Sequence, residues 1–340
     1  MVPPEIGRNP PIGGRSWDLG LCTFDRSPGE NEGGTDRHGE EALVRNLVVG
    51  VDGAPSSLRA LDWAVSAVGP GGHLHAVSAV SPPTELAVVP GPSDDVTYLQ
   101  LLQRELETVW LDGVRDRTAT LSGLATNGDA SDALAAEAIA YRADAIVVGA
   151  HVPHRGVPKT IGTTTRHLLK SLPCPLIVVP DGFSGELDDD GHVMVGIGHG
   201  EATESAVCWA AHVADERQLA VGLVRATGEA PVFEVDGLLS LLAFYIDPGT
   251  HAEWTRQDLA DFAERVQTMT DHELSIDTSA PPGLPAVRLV DASSTASLLV
   301  IGHHRSTITG HSHATQRLRH ALTHALCPVV VVPADGDPEH

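Results

Sequence analysis

The sequence predicts an α/β fold of two tandem modules, each with a five-stranded parallel sheet flanked by helices. Three observations predict it. Short apolar runs bounded by glycine or proline alternate with amphipathic helical stretches. The alternation runs from Val44 to Val179 and starts again at Val193. Landmarks recur in register: Asp52 to Trp63 spans the same distance as Gly198 to Trp209, and Gly149 to Cys174 the same as Gly302 to Cys327. Chance does not place four landmarks that way, so the period is duplication of a whole domain.

Residues 1–43 are rich in Gly, Pro, Asp and Glu without apolar periodicity, and they read as a disordered leader. The first module is expected over 44–180. Asn46–Asp52 (NLVVGVD) is apolar enough for a strand buried on both faces. Ser56–Val68 follows as a helix, with Leu58, Leu61, Trp63 and Val65 at helical spacing, and His73–Val80 as a second strand. Asp95–Arg115 predicts one long amphipathic helix, because Leu99, Leu102, Leu106 and Val109 repeat at helical intervals. Thr118–Thr126 is a third strand, Ser131–Arg142 an Ala-rich helix and Ala145–Gly149 a fourth strand. Thr163–Ser171 is a helix, and Pro175–Val179 closes the module.

Residues 181–191 are an acidic linker. The second module is expected over 192–334. Val193–Ile197, Ala202–Ala214, Glu253–Thr270, Ser297–Gly302, His311–Leu326 and Pro328–Val332 repeat elements of the first. The apolar segment Pro231–Thr250 reads as packed core.

The bulk numbers bound the function. At 340 residues, 42% hydrophobic and 20% charged, each half can bury a core without staples. A net charge of −23 argues against nucleic acid, whose phosphates demand Lys and Arg. No stretch is long and apolar enough for a membrane span, and no export signal is evident, so the cytoplasm is the expected location. Cys22, Cys174, Cys208 and Cys327 form no C-x-x-C pair, so free thiols are expected.

Four features fall at the carboxyl edge of the first predicted sheet, where open α/β sheets bind ligands. Asp52 ends the first strand and reads equally as a ligand acceptor or a helix cap. Gly149 ends the fourth strand, where glycine permits close approach or simply turns the chain. Gly162, Thr163, Thr164 and Thr165 open a helix whose N–H groups suit an anion, or are merely capped. The loop Ala150–Ile161 carries His151, His154, Arg155 and Lys159, and solvation is its default reading.

Together these features resemble the universal stress protein fingerprint, G-x-x-G-x9-G-[S/T]. Gly149, Gly162 and Thr163 occupy its first, third and fourth places. An ordinary dinucleotide-binding fold fits less well, since neither half has G-x-G-x-x-G after its first strand. The resemblance covers roughly residues 44–334. It implies Rossmann-like (adenine-nucleotide α-hydrolase-like) modules and an adenine nucleotide, ATP or AMP, with or without Mg. It places Asp52 and Ala76 by the adenine and ribose, Gly149 along the ribose–phosphate path, and Gly162, Thr163 and Thr164 on the phosphates. It also implies pairing of the modules through Leu176–Val179 and Val329–Val332, and pairing of whole chains is a further expectation.

Two departures follow. Val152 replaces the second fingerprint glycine. In the second module Gly198 replaces Asp52, Arg305 takes the second glycine place and Thr315-Gln316 the last two, so only Gly302 survives. The second module is therefore expected to bind nucleotide weakly or not at all and to act as a structural or regulatory partner. A nucleotide-free scaffold of the same fold is the alternative. His303, His304, His311, His313, His320 and His324 crowd one region without a metal-binding signature and read as exposed loop and helix histidines, with a pH-sensing role as the testable alternative. No G-x-S-x-G or G-x-x-x-x-G-K-[S/T] motif is present. Catalysis is limited to slow ATP hydrolysis, with Asp52 as its one candidate.

Overall fold

The computed structural model describes residues 44–68, 71–80, 98–117, 120–150, 160–184, 191–198, 200–227, 248–304 and 313–334. Short Val- and Leu-rich runs become strands because burial on both faces rewards β-branched side chains. In the first half these are β1 (Asn46–Gly50), β2 (His73–Val80), β3 (Thr120–Asn127), β4 (Ala145–Gly149) and β5 (Leu176–Val179). The second half supplies β6 (His192–Gly196), β7 (Ala220–Val224), β8 (Ile276–Ser279), β9 (Leu298–His303) and β10 (Val329–Pro333). The helices are α1 (Pro55–Val68), α2 (Tyr98–Glu105), α3 (Ala130–Ala140), α4 (Thr163–Leu168), α5 (Glu201–Arg217), α6 (Pro248–Met269), α7 (Pro285–Ala292) and α8 (His313–His324). β7, β8 and α7 have no counterpart among the segments that the apolar pattern predicts.

All ten strands form one sheet, in the order β3-β2-β1-β4-β5-β10-β9-β6-β7-β8. The strands of each half are parallel to one another, as the α/β alternation predicts. Only β5 and β10 run antiparallel, pairing Val178 with Val329, Ile177 with Val330 and Leu176 with Val331. That pairing is the one the resemblance implies. It removes two exposed strand edges and leaves these six side chains at most 3% exposed. Fully burying such a side chain stabilises the fold by about 1.5–3 kcal/mol.

One face of the sheet packs on α1 and α5, which bury Trp63 and Trp209 in a shared core. The other packs on α3, α4 and α8 through Leu134, Leu168 and Leu318. Hydrogen bonds also join the halves. Arg217 donates to the Ala67 carbonyl, and His303 Nε2 donates to the Leu169 carbonyl at 3.0 Å.

The predicted single helix over Asp95–Arg115 is not observed. Its described part is α2, a π turn over Leu106–Trp110 and a 3-10 turn over Asp112–Arg117. The Leu111 N–H bonds to the Leu106 carbonyl at 3.0 Å, a five-residue step. In a straight α-helix Leu111 would point about 140° away from Leu106. The wider turn lets Leu106, Leu111 and Val114 all enter the core, at 0%, 1% and 7% exposure. Tertiary burial overrides local helical spacing here.

Cys174 and Cys327 are buried free thiols, and Cys208 is buried beside His212. Burial pushes Cys174 and Cys327 up to about 12. We expect neither to react with iodoacetamide at pH 8 in the folded protein, and both to react in urea, because only the thiolate attacks. Peptide mapping reads the result, and native labelling of either thiol would show that its strand turn opens.

Candidate functional site

β1 lies between β2 and β4, where the strand order reverses. Such a switch point leaves a crevice outside the carboxyl ends of the two central strands. Asp52 follows β1, and Gly149 is the last residue of β4. Both therefore border this crevice.

The Asp52 carboxylate belongs to a small cap. Its Oδ1 accepts from the Ala54 N–H at 3.0 Å and from the Ser57 hydroxyl at 2.6 Å. The Asp52 N–H lies 3.2 Å from Ser57 Oγ. Ser57 is buried while Asp52 is exposed. Oδ1 thus holds the turn into α1, and Oδ2 has no partner among the described residues. The cap therefore uses one of the two carboxylate oxygens.

Gly53 adopts φ +79°, and a Cβ there would lie 2.6 Å from the Trp110 ring. Glycine therefore sets the left-handed turn and lets the indole lie against it. Trp110 did not emerge from the sequence reading, because helical spacing does not aim it there; the π turn does.

Gly149 has a packing role. A Cβ on it would fall 2.3 Å from the Ser56 carbonyl oxygen and 2.4 Å from its carbon. The first turn of α1 sits directly on this glycine. Gly162 is the N-cap of α4 at φ −58° and ψ 154°, which any residue can adopt. Its carbonyl accepts from the Arg166 N–H at 2.9 Å, closing the first turn. Thr163 is exposed, Thr164 half-buried and Thr165 buried.

Ala76 is not at the crevice. It lies mid-strand in β2, in register with Val49 and Gly123, and is fully buried among the core residues under α1. At the carboxyl end of β2, Ala79 and Val80 are partly exposed. Depth along the strand decides this: Leu74 to Ser78 are all buried, because helices cover both faces of this central strand. His151, Val152, His154, Arg155 and Lys159 lie outside the described residues, as does Arg305.

The second half repeats the packing parts of this arrangement. The Gly198 N–H lies 3.2 Å from Thr203 Oγ1, as the Asp52 N–H does from Ser57 Oγ. A Cβ on Gly302 would fall 1.8 Å from the Ala202 carbonyl oxygen. The carboxylate is absent, because Gly198 stands where Asp52 stands. Thr315 and Gln316 lie near the start of α8.

Residues 44–180 match the universal stress protein family. They are a universal stress protein module. No curated protein matches the chain. Among solved structures, the chain is similar to a universal stress protein of Archaeoglobus fulgidus DSM 4304, at 11% identity and a TM-score of 0.56, covering 84% of this chain and 97% of that one. It is also similar to a protein of unknown function from Pseudomonas aeruginosa PAO1, at 18% identity and a TM-score of 0.53, covering 86% and 93%. At these identities the similarity concerns the fold. Both coverages extend across the two halves.

The second half also meets the universal stress protein module beside Gly162. A cavity of ≈170 Å³ is lined by Ile161, Gly162 and Thr165 on one side and by Thr323, His324 and Leu326 on the other. His303, whose Nε2 donates to the last turn of α4, is held neutral by burial, which lowers its pKa. His320 and His324 stack at 4.3 Å. Among the described residues, no group of three or more His, Cys, Asp or Glu gathers as a metal site. No described helix is long and apolar enough to cross a membrane.

Proposed function

We propose that the first half binds an adenine nucleotide, ATP or AMP, and that occupancy regulates this stress-response protein. The observation that carries this reading is Asp52. Its Oδ1 is committed to the turn while Oδ2 is unpartnered among the described residues, at the switch-point crevice. A carboxylate there accepts from a ribose hydroxyl or a base amine. The opening of α4, Gly162 to Thr164, offers N–H and hydroxyl donors for phosphate. Trp110 against Gly53 supplies an aromatic surface beside the same carboxylate.

The second half serves this site without duplicating it. Gly198 removes the carboxylate acceptor. His303 instead pins the carbonyl end of α4, and Thr323 and His324 line the cavity at its start. The second half therefore acts as a structural or regulatory partner.

Calorimetric titration of ATP, with Mg²⁺, into the wild-type chain and Gly162→Asp tests the reading. Gly162 has a φ that aspartate tolerates, and aspartate caps helices well, so stability should change by only about a few tenths of a kcal/mol. The new negative charge faces the phosphates. One site in the wild type, weakened about tenfold or more in the variant, is expected; tenfold is about 1.4 kcal/mol. No binding by protein purified free of carried-over nucleotide would replace this reading with a nucleotide-free scaffold.

A further inference from the structure

The opposite, amino-terminal edge of the first sheet holds a second cluster. Asn46, His73 and Thr120 begin β1, β2 and β3 and stand in register there. They line a cavity of ≈180 Å³ together with His75, Ser122 and Tyr141. His75 and Ser122 are register partners on neighbouring strands, so their side chains share the face covered by α3. Asn46–His73–Thr120 and His75–Ser122 belong to strands that the sequence spaces far apart, and only the parallel pairing brings them together.

His75 is 5% exposed and bonded at both ring nitrogens. Nδ1 lies 2.7 Å from Ser122 Oγ, and Nε2 lies 3.2 Å from Glu137 Oε2 on α3. The ring stacks on Tyr141, with centroids 4.0 Å apart and planes 17° apart. A carboxylate only accepts, so Nε2 carries the proton in the neutral ring. Nδ1 is then a lone pair, and the Ser122 hydroxyl must donate to it. Burial holds the imidazole neutral by lowering its pKa, against the opposing pull of Glu137. A hydroxyl donating to a neutral imidazole whose other nitrogen is fixed by a carboxylate is an activated nucleophile. The cavity beside it gives a substrate access, and its lining Tyr141 is 48% exposed.

We propose that Ser122, His75 and Glu137 form a nucleophile, base and positioning residue that hydrolyse small acyl esters in this cavity. Ser122 Oγ attacks the ester carbonyl carbon while its proton passes to His75 Nδ1. The tetrahedral adduct collapses, its bond to the alkoxy oxygen breaks, and Nδ1 returns the proton to the departing alcohol. Water then attacks the acyl-serine carbonyl carbon while Nδ1 takes its proton; the bond to Ser122 Oγ breaks, Nδ1 returns the proton to Oγ, and the carboxylic acid leaves. Glu137 keeps Nε2 protonated and stabilises the imidazolium that forms twice. Asn46, His73 and Thr120 add polar lining for the carbonyl oxygen. This activity is independent of nucleotide binding, which lies at the other edge of the sheet.

The test is labelling of the full-length protein with a fluorophosphonate, read by intact mass and peptide mapping. One adduct on Ser122 is expected, absent from Ser122→Ala and from heat-unfolded wild type. Glu137→Gln should keep the wild-type melting temperature and slow labelling by about 10²-fold or more, because the amide no longer enforces the tautomer or stabilises the imidazolium. The labelling rate should rise with pH through one ionisation below the ordinary histidine value, since His75 must be neutral; Glu137, Tyr141 and Ser122 are the groups facing it. No adduct on Ser122 of the folded wild type would overturn the proposal. So would equal labelling of Glu137→Gln, which would reduce the cluster to a buried polar network.

Discussion

Gly302→Ala should destabilise the protein by about 3 kcal/mol, and Gly149→Ala by a comparable amount. The alanine methyl at position 302 would lie 1.8 Å from the Ala202 carbonyl oxygen and 2.3 Å from its carbon; at 149 it would lie 2.3 Å from the Ser56 oxygen. The nearest obstructing atoms are backbone, so no side-chain rotation relieves the clash. α5 or α1 must lift from the sheet, disturbing the core that holds Trp209 or Trp63. Urea unfolding followed by circular dichroism measures both changes. A shift under about 0.5 kcal/mol would mean that the helix slides freely on its strand, which dense core packing opposes. The expected result also reinterprets the fingerprint. Its first glycine seats a helix on a strand in both halves, so its persistence in the second half carries no information about ligand binding.

Acidification from pH 7 to 5 should lower stability, with His303 a principal contributor. The sign follows from its burial. The folded pKa lies below the ordinary value of 6.5, because desolvation outweighs the hydrogen bond to Leu169, and nearby His304 lowers it further. Between the two pKa values the unfolded chain binds the proton and the folded chain does not, so stability falls as pH drops below about 6.5. Each such histidine contributes up to about 1.4 kcal/mol per pH unit over that window. Protonation places a charge at the contact joining α4 to β9, where the halves meet. His303→Gln retains a donor for the Leu169 carbonyl but cannot titrate. Thermal melts across pH should therefore show the variant near wild type at pH 7 and flatter on acidification. His75 has a folded pKa shifted in the same direction and supplies part of the remaining slope. His320 is shifted in the same direction by burial and by the neighbouring His324. An unchanged pH response in His303→Gln would assign the acid sensitivity elsewhere.

Much of the candidate site was legible in the sequence because strand ends follow directly from the apolar runs. Asp52 after NLVVGV and Gly149 after AIVV could be placed at one edge once the sheet was read as parallel. Of the two roles that the sequence allows Asp52, the structure shows the helix cap, made by Oδ1 alone. Ala76 lies away from the crevice: a family resemblance assigns a strand, while access to the crevice depends on how far along the covered strand a residue stands. Trp110 escaped notice because the π turn that aims it answers to the burial of Leu106 and Leu111.

By itself the sequence determined what depends on short-range pattern: the strand–helix alternation, the duplication, and the loss of the acidic residue at Gly198. Local apolar periodicity and covalent spacing suffice for these. The tertiary structure alone decided which residues become neighbours across long separations. It set the break in the predicted 95–115 helix, the seating of α1 and α5 on glycine, and the meeting of His75 with Ser122 and Glu137. Those outcomes depend on how whole elements share one core, and close packing of distant segments leaves no periodic trace in the chain.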